Sequence, residues 1–189
     1  MIGNDIVDLK RIYAKWQRPG FLDKVFTSQE QDLIYNSRDN HEMVWRLWSM
    51  KEATYKVYAK IVQRRYFNPK HLKCQISDEI KGLVKIDNVT CYTFSSLTEN
   101  YVHSTASLDL SEPRATKIYQ MKHQDVMQQS LFLKDKFAKR VSEILMVNKD
   151  HLSIRKNKIG IPAIYQNSTL IEMDFSLSHC GCYSAYTIY

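Results

Sequence analysis

The residues best suited to chemistry lie in one segment, VWRLWSMKEATYK at positions 44–56. At about 100° per residue, Lys51 falls inside an apolar stripe of this segment, whereas Glu52 and Lys56 lie on its flank, one turn apart. The stripe consists of apolar and aromatic residues at helical spacing: Val44, Leu47, Trp48, Tyr55, Ala59 and Val62. The spacing predicts a helix that carries a charged pair beside its buried face.

Two interpretations of Glu52 and Lys56 are open from spacing alone. An ordinary Glu–Lys pair on a solvated helix face contributes about a few tenths of a kcal/mol and has no further role. The neighbouring tryptophans and tyrosines favour a second interpretation, in which the Glu52 carboxylate is partly desolvated. A desolvated carboxylate needs a cation, which is either a lysine or a metal ion.

A second carboxylate, Asp5, lies in the N-terminal stretch IGNDIVDL, which is predicted to be a short buried strand. Because strand residues alternate faces, Asp5 shares a face with Val7, and Asp8 points the other way or opens the next turn. A carboxylate in an apolar strand is unfavourable unless it is paired or binds a metal ion. Asp5 is therefore a metal ligand, a turn cap or a partner of Lys10 or Arg11.

The elements that must position these residues begin with a capping box. Thr27 is the predicted cap of a helix and Glu30 its third residue, which is a sufficient structural reason for Glu30. The helix with Glu52 follows and is predicted to run to about Val62. Short alternating runs then predict an antiparallel sheet, with strands at 71–76, 83–86, 91–95 and 101–108 and turns at 87–88 and 98–100.

A second module is predicted after Ser111-Glu112-Pro113, where proline breaks the pattern. A long helix over 126–146 is expected to bury Phe132, Phe137, Val141, Ile144 and Leu145. A strand at 152–154, a turn at 160–162 and two strands that meet at 178–181 follow, the last running over 183–189. The chain is thus predicted to be an α+β protein of two similar modules, residues 1–112 and 113–189.

Composition limits the class of protein more than its activity. A chain of 189 residues with 44% hydrophobic and 12% aromatic residues can bury a core as one domain or two small ones. Neither a run of about 18 apolar residues nor a signal-peptide core is found, so a soluble, cytoplasmic protein is expected. The four cysteines lack the spacing of a disulfide framework or a zinc site, and we expect reduced thiols.

The net charge of +7 favours an anionic partner without naming it. Nucleic acid, a phosphorylated small molecule and an acidic protein all fit this charge. The basic residues are scattered along the chain, and no helix-turn-helix, zinc-finger or RNA-recognition motif is found. Nucleic acid is therefore the less favoured partner.

Short motifs along nearly the whole chain carry a resemblance to a known family. They are GNDIVDL at position 3, FT at position 26 with Glu30, WSMKEA at position 48 with Lys56, GIP at position 160 and FSLSHCG at position 175. Together they resemble the signature of the 4'-phosphopantetheinyl transferases, with the last two similar to that family's Gly-Lys-Pro and Ser-His elements. The order resembles the short holo-acyl-carrier-protein synthase type, whereas the element content resembles the long, pseudo-dimeric type. The resemblance implies two modules in swapped order, packed as an intramolecular pseudo-dimer.

The resemblance implies a reaction and the residues that would perform it. Such an enzyme moves phosphopantetheine from coenzyme A to a serine of an apo acyl or peptidyl carrier protein and releases adenosine 3',5'-bisphosphate. Asp5 and Glu52 would hold Mg²⁺ against the pyrophosphate, because Mg²⁺ prefers carboxylate, water and phosphate oxygens. Lys56 matches the catalytic lysine of the family, and Lys51 could contact a phosphate as a point charge.

The resemblance also assigns the nucleotide-binding element. His179, with Ser178 before it, matches the residues that hold the nucleotide phosphates in the family. Without the motif, a histidine at a hairpin end would be interpreted as an exposed turn residue.

Two departures from the family pattern affect the expected site. Val7 stands where the long type has a second metal-binding acid, so water or Glu30 would complete the metal shell. Ile161 stands where the family has the lysine that contacts the 3'-phosphate, and Lys156 or Lys158 would have to replace it. Together with the loss of a basic residue at Gln129, the loss of this lysine is expected to weaken the binding of coenzyme A.

A third departure is Gln129, near the place where the long type has a basic residue. The departures leave open an altered donor site or a family member that has lost activity. A basic adaptor that binds acidic carrier proteins or nucleic acid without chemistry is the competing hypothesis. We expect the chain to act as a monomer and to have no membrane partner.

Overall fold

Groups of helices and groups of strands follow one another along the chain in the computed structural model, which describes residues 1–12, 15–110, 113, 115–121 and 125–189. Within those residues, antiparallel strands form one five-stranded and two three-stranded sheets, against which two long helices pack. The fold is α+β, and the predicted class is confirmed. No helix of the described part is both long enough and apolar enough to cross a membrane.

The five-stranded sheet has the N-terminal strand at one edge. Its order is β1-β5-β4-β3-β2, with β1 Ile2–Asp8, β2 Lys73–Ile76, β3 Lys81–Ile86, β4 Val89–Leu97 and β5 Tyr101–Ser107. The strands predicted after the central helix are found at these places, and all neighbours are antiparallel. Asp5 lies opposite Ser104 of β5, so it belongs to an ordered edge strand.

The described residues between β1 and β2 form three α-helices, namely α1 Phe21–Val25, α2 Ser28–Tyr35 and α3 Asn40–Val62. The predicted capping box starts α2, because Thr27 accepts from the Glu30 amide while its own amide donates to the Glu30 carboxylate at 2.8 Å. Helix α3 ends at Val62, as expected, and packs across the sheet.

Helix α3 and strand β1 approach each other very closely. A Cβ built on Gly3 would lie 2.0 Å from the carbonyl oxygen of Ala53, so only glycine permits this contact. The contact holds the strand that carries Asp5 against the part of α3 that carries Glu52.

The second part of the chain forms the two smaller sheets around helix α4, Val126–Leu145. Their orders are β10-β11-β6 and β7-β8-β9, with β6 Ala115–Gln120, β7 Leu152–Lys156, β8 Pro162–Gln166, β9 Thr169–Ile171, β10 Phe175–Cys180 and β11 Tyr183–Ile188. Phe137 and Val141 are buried as predicted, and Phe137 stacks on Phe175 at 4.3 Å. Leu133 fills the core position expected for Phe132, which is only half-buried.

Strand β10 and the N-terminal edge strand meet at the junction of the two parts. The Asn4 amide donates to Ser176 Oγ at 2.9 Å. Lys60 of α3 donates to the Asp174 carboxylate at 2.6 Å and to the carbonyls of Ile2 and Phe175 at 2.7 Å each. This junction brings β10, which carries His179, beside β1, which carries Asp5.

Strand pairing among the described residues stays within 1–107 or within 115–189. The predicted boundary residues Ser111 and Glu112 lie outside the described residues. The division into modules 1–112 and 113–189 stays a prediction, and the pairing pattern is compatible with it.

Candidate active site

Asp5 and Glu52 lie in one pocket of about 360 Å³, here called the carboxylate pocket. Asp5 comes from the edge strand β1 and Glu52 from α3, which the Gly3 contact holds together. His179 and Cys180 of β10 form another wall. The remaining lining is aliphatic, aromatic or basic and includes Phe21, Trp45, Trp48, Lys15 and Arg18. The interpretation of Glu52 as a partly desolvated carboxylate agrees with this aromatic lining.

Burial controls the electrostatics of the two carboxylates. It raises the pKa of Asp5 to about 6, although Lys56 acts in the opposite direction. Burial also raises the pKa of Glu52 to about 7, and the nearby charge of Asp5 adds to this rise. Two partly buried carboxylates, of which one disfavours ionisation of the other, form a site in which an added cation is stabilised.

Mg²⁺ fits this donor set chemically. It binds proteins through one or two carboxylates and takes its remaining oxygens from water and substrate phosphates. The described residues contain no group of three or more His, Cys, Asp or Glu side chains placed to hold a metal ion. Asp5 and Glu52 are therefore candidates for a two-carboxylate site whose other ligands come from outside the chain.

Lys56 lies between the carboxylate pocket and its neighbour. Its ammonium donates to the carbonyl oxygen of Asn4 at 2.5 Å and lies 3.4 Å from Asp5 Oδ1. Within the described part of the chain, its ion pair is with Asp5 and not with Glu52. The ordinary Glu52–Lys56 helix pair is therefore not formed, because Lys56 reaches across to β1.

A second pocket of about 230 Å³ adjoins the first and is called the cationic pocket. Its basic lining residues are Lys56, Lys60, Arg65, Lys134 and Lys156. The described lining contains no aspartate or glutamate, and apolar residues such as Leu133, Ile154 and Ile161 form the rest of the wall. Such a lining suits a ligand that has several anionic groups and an uncharged body.

His179 is an exposed residue shared by both pockets. Desolvation lowers the pKa of its imidazole, and the charges of Lys56 and Lys156 lower it further. Ser178 points the other way, as expected for the adjacent strand residue. Its Oγ is buried, has no hydrogen-bond partner in the described residues, and does not line either pocket.

Lys51 does not belong to this site, and its proposed phosphate contact is wrong. The side chain is fully buried. Its ammonium donates to Glu30 Oε2 at 2.8 Å and to the carbonyls of Pro69 and Leu72 at 2.8 and 2.6 Å. These bonds use all three donors of the ammonium group, so none remains for a phosphate.

Glu30 is excluded as a third metal ligand for a related reason. Its carboxylate accepts from Lys51, from the Thr27 amide and from the Cys74 amide, the last at 2.7 Å. Its position in a predicted capping box already pointed to this structural role.

Lys158 and Gln129 do not take the positions in the nucleotide-binding site that the sequence suggested. Lys158 is exposed and outside the cationic pocket, whereas Lys156, the alternative to it, lines the pocket. Gln129 is buried and donates to the carbonyl oxygen of Gly181, so it supports the β10–β11 turn. Sequence reasoning missed Arg65 and Lys134 as lining residues, because neither belongs to a motif.

Comparison with known proteins agrees with the motifs. The family model described as "ACPS: 4'-phosphopantetheinyl transferase superfamily" matches residues 1–106. The chain therefore belongs to the 4'-phosphopantetheinyl transferase superfamily, and the resemblance noted in the sequence is confirmed.

Solved structures include chains similar to this one. A solved structure described as apo-ACPS from Chronobacterium ammoiniagenes is similar to this chain at 16% identity, with a TM-score of 0.48. The match covers 56% of this chain and 93% of that one. No curated protein matches the sequence.

Proposed function

We propose that the protein transfers the 4'-phosphopantetheine arm of coenzyme A to a serine of an apo carrier protein. The serine hydroxyl oxygen forms a bond to the phosphorus that bears the pantetheine, the bridging P–O bond of the pyrophosphate breaks, and adenosine 3',5'-bisphosphate leaves. The serine proton passes to solvent water in the same reaction. The observation that carries the proposal is that Asp5, Glu52, Lys56 and His179 meet where two pockets adjoin.

Asp5 and Glu52 would hold Mg²⁺ in this enzyme. When bound, Mg²⁺ neutralises negative charge that develops on the pyrophosphate as the bridging bond breaks. Lys56 is held by Asn4 and Asp5 in the lining of the cationic pocket, where its ammonium can contact a phosphate oxygen. His179, which lines both pockets, can donate a hydrogen bond to the nucleotide phosphates.

The two pockets suit the two substrates. The cationic pocket fits coenzyme A, which has a pyrophosphate, a ribose 3'-phosphate and an uncharged pantetheine arm. The carboxylate pocket has Lys15 and Arg18 beside Phe21 and Trp48, which suits an acidic protein surface with an apolar centre. We therefore assign the carrier protein to this side.

The decisive experiment is incubation with coenzyme A, Mg²⁺ and an apo carrier protein, followed by intact-mass analysis. We expect one phosphopantetheine arm to be added to the carrier. Excess chelator should stop the reaction and added Mg²⁺ should restore it. Full activity in chelator would refute the metal-dependent mechanism.

The competing function is a binding protein without transfer activity. Ile161 in the cationic pocket favours it, because this position lacks the family's lysine. Binding of an acidic carrier or of DNA that weakens steeply with salt, without any added arm, would support it. The expectations of a cytoplasmic location and a monomeric state stay predictions.

A further inference from the structure

The cations of the cationic pocket divide into two sets. Lys56 and Lys60 are paired with Asp5 and Asp174. The other set, Arg65, Lys134 and Lys156, makes no ion pair with a described residue. Unpaired cations that line one pocket leave a positive potential, which favours an anion from outside the chain.

Arg65 has a defined place within this set. It follows the end of α3, yet its guanidinium lies against the loop that holds Ile161. A Cβ built on Gly160 would lie 1.9 Å from Arg65 Nη2, so a side chain at this position would displace the guanidinium. Gly160 also has a φ of +78°, which glycine adopts readily.

The loop that receives Arg65 is itself ordered. Asn157 Oδ1 accepts from the amides of Ile159 at 3.1 Å and Ile161 at 2.9 Å. The Gly160 amide donates to the Asn157 carbonyl at 2.8 Å. The guanidinium therefore lies on a fixed surface beside Ile161, although it comes from the other part of the chain.

We propose that Arg65 binds the ribose 3'-phosphate of coenzyme A and so determines the preference for this donor over 3'-dephospho-coenzyme A. The inference rests on the proposed function. Lys56, which lies beside Asp5, is assigned to the pyrophosphate, and the unpaired cations Arg65, Lys134 and Lys156 of the same pocket remain for the 3'-phosphate. A guanidinium can bind a phosphate through two parallel hydrogen bonds, which a lysine at position 161 could not.

The test compares two neighbouring arginines. Arg65→Ala removes the proposed contact, and Arg64→Ala is the matched control, because Arg64 packs on Tyr66 and is not part of the pocket lining. For Arg65→Ala we expect kcat/KM with coenzyme A to fall at least about tenfold, the size of one lost charge-assisted contact. With 3'-dephospho-coenzyme A, the kcat/KM of Arg65→Ala should change less than about twofold. Arg64→Ala should have the kcat/KM of the wild type with both donors.

An equal loss with both donors, no loss with either, or an equal effect of Arg64→Ala would overturn the inference. Arg65→Lys offers a further comparison, because it keeps the positive charge and removes the guanidinium group that can form two parallel hydrogen bonds. Its donor preference should fall between those of the wild type and Arg65→Ala.

Calorimetric binding separates this inference from the transfer reaction itself. Wild-type protein should bind adenosine 3',5'-bisphosphate at least about tenfold more tightly than adenosine 5'-monophosphate, and Arg65→Ala should lose this difference. If no transfer occurs but this binding pattern is found, the proposed function fails and the role of Arg65 stands. If the wild type shows no preference, the role of Arg65 is overturned even in an active transferase.

Discussion

At the scale of single residues, the carboxylate pocket is electrostatically unfavourable as it stands. Asp5 and Glu52 are both partly buried, the charge of Asp5 disfavours ionisation of Glu52, and Lys56 offsets these effects only in part. Groups whose pKa values are perturbed by burial and by a specific neighbour are typical of functional sites. Here the perturbation has a chemical use, because a divalent cation would neutralise both carboxylates at once.

The first prediction concerns these two ligands. Asp5→Ala and Glu52→Ala should each reduce carrier modification at least about 100-fold, because each removes half of the protein's contribution to the metal site. Circular dichroism should remain that of the wild type, since no core volume is lost. Asp135→Ala, which removes an exposed carboxylate of α4, is the control and should retain activity. Near-normal turnover in either ligand variant would contradict the assigned roles.

The second prediction follows from the pKa of Glu52, which is raised from 4.5 to about 7 on folding. Between these values the folded state binds more protons than the unfolded state, so the free energy of unfolding falls as the pH rises through this window. Glu52→Gln should remove this loss and stabilise the metal-free protein at pH 8 by about 1–2 kcal/mol, with little change at pH 4.

Urea denaturation in the presence of chelator, at both pH values, provides the measurement. Added Mg²⁺ should stabilise the wild type more than Glu52→Gln, because the variant lacks one carboxylate. Identical pH profiles for wild type and variant would show that Glu52 is not a buried ionisable group.

At the scale of elements, the buried Lys51–Glu30 pair fixes α2 and α3 to the chain that enters the sheet. Lys51 comes from α3, Glu30 from the first turn of α2, and their remaining bonds go to residues 27, 69, 72 and 74. Removing one member of a buried pair leaves an uncompensated charge, which is more harmful than the pair itself is beneficial.

The third prediction tests this pair. Glu30→Ala should lower the free energy of unfolding by about 3–5 kcal/mol, because it isolates the Lys51 ammonium and removes the capping box. Glu143→Ala is the matched control, since it breaks an exposed helix pair with Arg140 and should cost less than about 0.5 kcal/mol. Similar losses in both variants would contradict the role given to the buried pair.

At the scale of the whole molecule, the site exists because two parts of the chain meet. The Asp8 carboxylate accepts from the Cys182 amide at 2.8 Å, and from the amides of Lys10 and Arg11 in its own turn. It also lies against Gly181 in the β10–β11 turn. Together with the Lys60–Asp174 pair, this contact holds His179 beside Asp5.

The fourth prediction compares two glycines that both have positive φ, 60° at Gly181 and 73° at Gly20. Alanine at either site incurs the same backbone strain. A Cβ at Gly181 would lie 2.0 Å from Asp8 Oδ2, whereas a Cβ at Gly20 would have no neighbouring atom within 4 Å. Gly181→Ala should therefore destabilise the protein by about 2 kcal/mol more than Gly20→Ala. Thermal denaturation provides the measurement, and equal effects would mean that the Asp8 contact does not contribute to the junction.

Local features of the chain were predictable because they depend on neighbours in sequence. The capping box, the end of α3 and the strands that follow it depend on spacings of two to four residues. Strands β6, β8 and β9 were missed, because they are short and have at most one buried residue each, so their residues show no clear alternation. Their places are set by pairing with β11, β7 and β8 respectively, which the sequence does not reveal.

The sequence by itself determined the superfamily, the α+β class and the helix that carries Glu52 and Lys56. Only the tertiary structure decided which charged groups could take part in the site. Lys51 and Lys56 lie on the same helix, yet one is buried against Glu30 and the other reaches Asp5. The reason is physical: helical and strand periodicity follows from local backbone geometry, whereas the surroundings of a charge depend on residues far away in the chain.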